Sequence, residues 1–323
     1  MERIALGNRE FEGRNNAYLL VGDDEVALLD TAVATEEARE QLVAALAELG
    51  YGFDDIDTLV LTHWHYDHAG LAGEIQAAGG ATVYAHADDA PLISHDEAAI
   101  AALRDRQFRR MTEWGMPEDK RSSLEGFMTA SLETAGGAPV DVEPVADGEV
   151  LAVAGRRLEV VHVPGHTAGL SAFAIDDGAE AFVGDAVLPV YTPNIGGADV
   201  RVEAPLSTYA ASLERLIDRG FDRVWPGHRD PIDAPADRAR TILDHHRDRT
   251  QRVLDVLAEH GPADAWTVSA HLFGDLESIH IMHGPGEAWA HLDHLERHGV
   301  VGRDDAGYRL VDGSAAVEPP PLS

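Results

Sequence analysis

The chain has 323 residues, 45% of them hydrophobic, which is enough for one large domain or one large and one small domain. Its 57 acidic and 25 basic residues give a formal net charge of −32, and it has no cysteine. Disulfides and thiolate ligands are therefore excluded, nucleic acid is a disfavoured partner, and any metal must be held by His, Asp or Glu.

The basic residues are all arginine except Lys120. Such an acidic excess repels itself unless the Debye length falls to about 3 Å, as in molar salt. The composition thus reads as that of an extreme halophile with a salt-filled cytoplasm. No run approaches the roughly 18 apolar residues of a membrane span. The opening Met1-Glu2-Arg3-Ile4-Ala5 lacks a basic segment leading into an apolar one, so the expected location is cytoplasmic.

In chain order, the first 30 residues read as short strands. Among them, Asn16–Val21 and Glu25–Asp30 flank a Gly22-Asp23-Asp24 turn. Thr35 precedes a helix over Glu36–Leu49, with Leu42, Leu46 and Leu49 at helical spacing and Gly50 ending it. A short buried strand, Asp57–Leu61, runs into Thr62-His63-Trp64-His65-Tyr66-Asp67-His68. A helix over Ala69–Ala78 and a strand over Thr82–Ala85 follow. Residues 87–140 read as a helical insertion, with helices over Ala98–Trp114 and Lys120–Thr134. Its apolar residues either form a local core against the main fold or wall a substrate pocket.

Strands return at Val150–Val153, Leu158–Val163 and Ala179–Val183, the last ending at Gly184-Asp185. Leu188–Gly197 is a Pro/Gly-rich loop. Leu206–Arg219 is a helix and Arg223–Trp225 a strand ending at Pro226-Gly227-His228. Beyond about Ala236 come helices over Ala236–His260, Trp266–Leu272 and Glu287–His298. The strands Val300–Arg303 and Tyr308–Val311 then flank a turn, which together suggest a winged-helix-like module. The tail Glu318–Ser323 reads as frayed.

The chemistry concentrates in His63-x-His65-x-Asp67-His68, four ligand-type side chains just after an apolar strand. His166, Asp185 and His228 each follow another such strand. Ligands borne at strand ends along one edge of a sheet give the rigidity that a metal site requires. His162 reads as a core histidine, His86 and His95 as surface residues, and His245-His246 as a helix-packing pair. The His and acidic residues of Glu287–His298 read as a solvated face.

This ordered set resembles the metallo-β-lactamase superfamily, with the motifs spanning residues 62–228. The resemblance implies an α/β fold, an αββα sandwich over 1–235 with the insertion at about 87–140 and a C-terminal module over 236–323. It implies two divalent ions, zinc or else manganese or iron. His63, His65 and His166 would hold the first; Asp67, His68 and His228 the second; Asp185 would bridge them. Two such ions share a water and lower its pKa to near 7. Asp67 is also the candidate catalytic carboxylate, and Tyr191 and Asn194 are candidate donors to a substrate oxyanion. The implied activity is hydrolysis of a small thioester or ester, as in the glyoxalase-II-like branch. However, the stretch after Asp185 lacks that branch's glutathione-recognition pattern. The C-terminal module is similar to the β-lactamase-like protein 2 branch, which leaves an endoribonuclease acting on single-stranded RNA as an alternative. A lactonase is a further alternative, although Leu188 stands where those enzymes carry a tyrosine. A homodimer is a possible assembly.

Overall fold

Two sheets face each other across the centre of the computed structural model, which describes residues 1–7, 14–311 and 319–323. The first sheet has six strands in chain order: β1 (Glu2–Leu6), β2 (Asn15–Val21), β3 (Val26–Leu29), β4 (Thr58–Val60), β5 (Thr82–His86) and β6 (Val142–Val145). Its first three strands pair antiparallel and the rest parallel. The second sheet has five strands: β7 (Val150–Val153), β8 (Arg156–His162), β9 (Ser171–Ile175), β10 (Glu180–Gly184) and β11 (Arg223–Pro226). They are antiparallel except for the β10–β11 pair. Tyr18, Leu20, Leu29, Val60, Val160, Phe173 and Phe182 fill the space between the sheets.

Helices cover both outer faces, which gives the expected αββα sandwich. On the first face, α1 (Glu36–Glu48) is capped by the Thr35 hydroxyl and buries Leu42 and Leu46 against the sheet. α2 (Tyr66–Ala69) and α3 (Ala72–Gly79) belong to the same side. The single helix predicted over Ala69–Ala78 is thus two. The break falls at Gly70, where a Cβ would stand 2.7 Å from the Ala32 carbonyl oxygen, so the chain crosses that backbone too closely for any side chain.

The insertion carries α4 (Ala90–Ile93), α5 (Glu97–Glu113) and α6 (Glu118–Ala135). The second sheet is covered by α7 (Pro205–Arg219) and the start of α8 (Pro235–His260), through Leu206, Leu213, Ala239 and Ile242. The far half of α8 leaves that core. With α9 (Ala265–Phe273), α10 (His280–Arg297) and the hairpin β12 (Val301–Asp304)–β13 (Gly307–Leu310), it packs on the insertion. Leu103, Met111 and Trp114 of the insertion meet Val253, Trp289 and Leu292 there. The insertion therefore shares its core with the C-terminal helices.

Other expectations are corrected. α10 begins at His280, ahead of the predicted Glu287, and runs through Pro285. Proline lacks the donor for the Ile281 carbonyl, so the local sequence hides the helix start. The face over Glu287–His298 is mostly buried, since Glu287, His291 and His294 all lie inside. His86 is buried as well, its ring stacked on His162 at 3.9 Å. In the tail, Glu318 lies outside the described residues, while Leu322 is buried in the core under α7 and α8. No helix among the described residues is long and apolar enough to cross a membrane.

Candidate metal centre

All seven residues singled out from the sequence converge at one end of the sandwich. His63 and His65 lie on the turn after β4, Asp67 and His68 on the single turn of α2, and His166 on the loop after β8. Asp185 and His228 follow β10 and β11. The side chains form two groups. His63 Nε2 and His166 Nε2 lie 3.1 and 3.0 Å from His65 Nδ1. His228 Nε2 lies 3.4 Å from Asp67 Oδ2, and His68 Nε2 lies 3.7 Å from that same oxygen. Asp185 stands between the groups: Oδ1 is 3.6 Å from His68 Nε2, and Oδ2 is 3.3 Å from His228 Nε2 and 3.7 Å from His166 Nε2.

The outer hydrogen bonds fix which ring nitrogens are free to bind. His166 Nδ1 faces the Asn194 carbonyl at 2.8 Å and His68 Nδ1 faces Asp30 Oδ2 at 2.9 Å, so both must carry a proton there. The Thr62 hydroxyl donates its one proton to Asp30 Oδ2 at 2.8 Å, so it accepts from His63 Nδ1 at 3.0 Å. In each ring the lone pair is then left on Nε2, pointing inward. Lone pairs turned into one buried cluster repel one another unless a proton or a metal cation lies among them. His68 Nε2 and Asp185 Oδ1 are buried without a hydrogen-bond partner. The donor set of imidazole and carboxylate therefore fits divalent metal ions.

Electrostatics divide the cluster. Burial, reinforced by neighbouring imidazoles, pushes His63 and His65 well below the usual histidine range, and burial also lowers His166. These rings are neutral, as ligands must be. Burial acts the same way on His68 and His228, but Asp185 and Asp67 outweigh it and raise both.

Several supporting residues carry no motif in the sequence. Asp30 ends β3 in a left-handed conformation (φ 52°) and also accepts the Thr62 amide at 2.8 Å. Asn15 donates to the Asp67 carbonyl and carboxylate at 3.0 and 3.1 Å. Arg201 lies between Asp89 and Asp199, at 2.6 and 2.5 Å. Asp89 accepts from Trp64 N, Thr167 Oγ1 and Gly169 N, and Asp199 accepts from Ala168 N and Trp64 Nε1. This triad therefore ties the His63–His65 turn to the His166 loop. Burial, partly offset by Arg201, pushes Asp89 up to about 6. An acid at the end of an apolar run was a weak sequence signal for Asp30; nothing local marked Asp89, Asp199 or Arg201.

A cavity of about 530 Å³ opens beside the centre, within the ~300–1,000 Å³ usual for small-molecule sites. Tyr191 and Asn194 both line it. Tyr191 is about half exposed, with Arg229 stacked on its ring at 4.6 Å. The Asn194 amide is directed elsewhere, 3.2 Å from the His283 carbonyl and 3.4 Å from Glu287 Oε2. The structure thus places Asn194 as the support of His166. His283, which sequence reasoning passed over, lines the cavity from α10.

A family model described as the metallo-beta-lactamase superfamily matches residues 11–228. The fold is similar to the crystal structure of a metallo-beta-lactamase family protein from Thermus thermophilus, with TM-score 0.84 and 35% identity. That match covers 95% of this chain and 97% of the other, so it takes in the insertion and the C-terminal helices. Among curated proteins, the chain is 26% identical to the beta-lactamase-like protein 2 homolog of Drosophila melanogaster, over 76% of this chain and 68% of that one. It is 28% identical to the acyl-coenzyme A thioesterase MBLAC2 of Homo sapiens, over 68% of this chain and 74% of that one.

Proposed function

The chain belongs to the metallo-β-lactamase superfamily and is a metal-dependent hydrolase, and from that premise we propose that it cleaves a thioester at a two-metal centre. The observation that supports this reading is the convergence of buried His and Asp ligand atoms in two groups with Asp185 between them. His63, His65 and His166 would hold one ion, and Asp67, His68 and His228 the other. The donor set suits zinc, manganese or iron, and zinc is our first choice. Bound ions would supply an acidified water and a counter-charge for the carbonyl oxygen.

The protein's own part is positional. The outer partners Asp30, Thr62 and the Asn194 carbonyl hold each imidazole in one tautomer. Asn15 holds Asp67, and the Asp89–Arg201–Asp199 triad keeps the two ligand turns in register. Tyr191 stands at the cavity wall and is our candidate donor to the carbonyl oxygen. The thioester choice draws support from the likeness to an acyl-coenzyme A thioesterase and from a mostly apolar cavity. The net charge of −32 weighs against an RNA strand.

Metal analysis of the purified chain should find close to two ions per chain. In molar KCl it should hydrolyse S-lactoylglutathione or an acyl-coenzyme A, and the paired substitution His63→Ala and His65→Ala should remove both metal and turnover. Cleavage of single-stranded RNA or a lactone, with no thioester turned over, would overturn the reading.

A further inference from the structure

The cavity beside the metal centre has two chemically different ends. One carries His65, Asp67, His166, Asp185 and His228, so the scissile carbonyl belongs there. The other is built by the insertion and α10, with Ile100, Leu103, Phe127, Met128, Ile279 and Met282 on its wall. Leu103 and Met282 are buried in the core that joins these elements, and Phe127, Met128 and Ile279 are half-buried at its edge.

Three of the polar side chains that line the cavity are already committed. Gln107 donates to the Ala198 carbonyl at 2.7 Å, Trp64 Nε1 to Asp199 at 3.3 Å, and Asn194 to the His283 carbonyl. A hydrophilic group placed against those six apolar side chains would lose its water with no partner among them, which is costly. Arg104 and Arg229 also line the cavity, and Arg104 is exposed to solvent. In a chain this acidic, a guanidinium beside the cavity offers paired donors to an anionic portion of a ligand, and Arg229 does so beside His228 while stacked on Tyr191.

We propose that the insertion and α10 together form a binding site for an unbranched aliphatic acyl chain, with the anionic thiol carrier directed to Arg104 and Arg229. The site rests on the thioester reading above and deepens it. It assigns a shared task to two segments that the sandwich itself does not need. The insertion and the C-terminal helices build one core because they close one pocket.

The test uses the metal-loaded full chain and the thioethers S-ethyl-, S-octyl- and S-hexadecyl-coenzyme A, which bind without being cleaved. Calorimetric affinity should rise by up to about fourfold for each added methylene, which is the ~0.8 kcal/mol of a buried CH₂. The gain should stop before the hexadecyl chain, when the cavity is filled. Phe127→Ser and Met128→Ser should each weaken the octyl compound at least tenfold. Metal content and unfolding midpoint report whether each variant is still folded. Affinity independent of chain length, or unchanged in folded variants, overturns the acyl site. Chain-length-dependent binding without hydrolysis of octanoyl-coenzyme A would instead overturn the thioesterase reading and leave the acyl site standing.

Discussion

Asp30 Oδ2 lies 2.9 Å from His68 Nδ1, behind the imidazole and on the side away from the cluster of ligands. The same carboxylate takes both the amide and the hydroxyl of Thr62, which in turn accepts from His63. One buried acid therefore orients an imidazole in each of the two groups of side chains. Asp30→Asn keeps the left-handed backbone, which asparagine tolerates, but removes the charge and one acceptor. Metal affinity should fall about 10- to 100-fold. Competition with a coloured chelator would measure it, and parental affinity in the variant would count against the role.

Gly227 packs against the Asp185 carboxylate. A Cβ there would stand 2.4 Å from Asp185 Oδ1 and 2.5 Å from His68 Cε1. Gly227→Ala must displace one of these side chains, because both are enclosed. A displacement near 1 Å at a reacting centre costs on the order of 10²-fold. The expected outcome is that drop in kcat/KM together with a lower metal content, by elemental analysis, in a protein that still unfolds cooperatively.

These two positions show where sequence reading succeeds and where it stops. The seven converging residues were legible because each follows an apolar strand and four stand within His63–His68. The strands themselves were legible from their apolar runs, apart from β6 and β9. Asp30, Asn15, Asp89, Asp199 and Arg201 were not legible as a group. Their partners lie far along the chain, as with Arg201 and Asp89, and no local spacing encodes such a contact. The solvated face assigned to Glu287–His298 failed for a related reason. A run of His and acidic residues looks hydrophilic locally, yet Thr250 pairs with His291 and Arg249 with Glu287 inside the fold. The start of α10 was hidden by Pro285 and its flanking glycines. Those glycines permit close approach, since a Cβ at Gly286 would stand 2.3 Å from Gly197 Cα.

The Arg249–Glu287 ion pair joins α8 to α10 with both side chains nearly buried. Removing one partner strands the other charge away from water. Arg249→Met should destabilise the protein by about 3–5 kcal/mol, whereas adding Glu287→Leu should recover most of that loss. Denaturant unfolding of the single and double variants measures the coupling. A double variant no more stable than the single one would show that the pair's worth lies elsewhere.

His246 gives the fold an acid-sensitive interior. Its ring is buried between α7, α8 and α10, against Tyr209, His245 and His291. Burial, with Arg249 and His245 adding to it, pushes its pKa down to about 3 from 6.5. The neutral ring is therefore the form that the folded state accepts. Below pH 6.5 the unfolded chain binds a proton there that the native chain refuses, so stability falls as the pH drops toward 3. Above pH 6.5 the contribution is fully present. The slope is about 1.4 kcal/mol per pH unit for each such group. His291 shifts in the same direction for the same first reason. His246→Gln removes one titrating group, so its stability should fall less steeply between about pH 6.5 and about pH 4.5 than that of the parent. Comparing the two slopes by denaturant unfolding separates this residue from acid-driven metal loss, which affects both proteins alike. Parallel slopes would show that His246 does not carry the acid sensitivity.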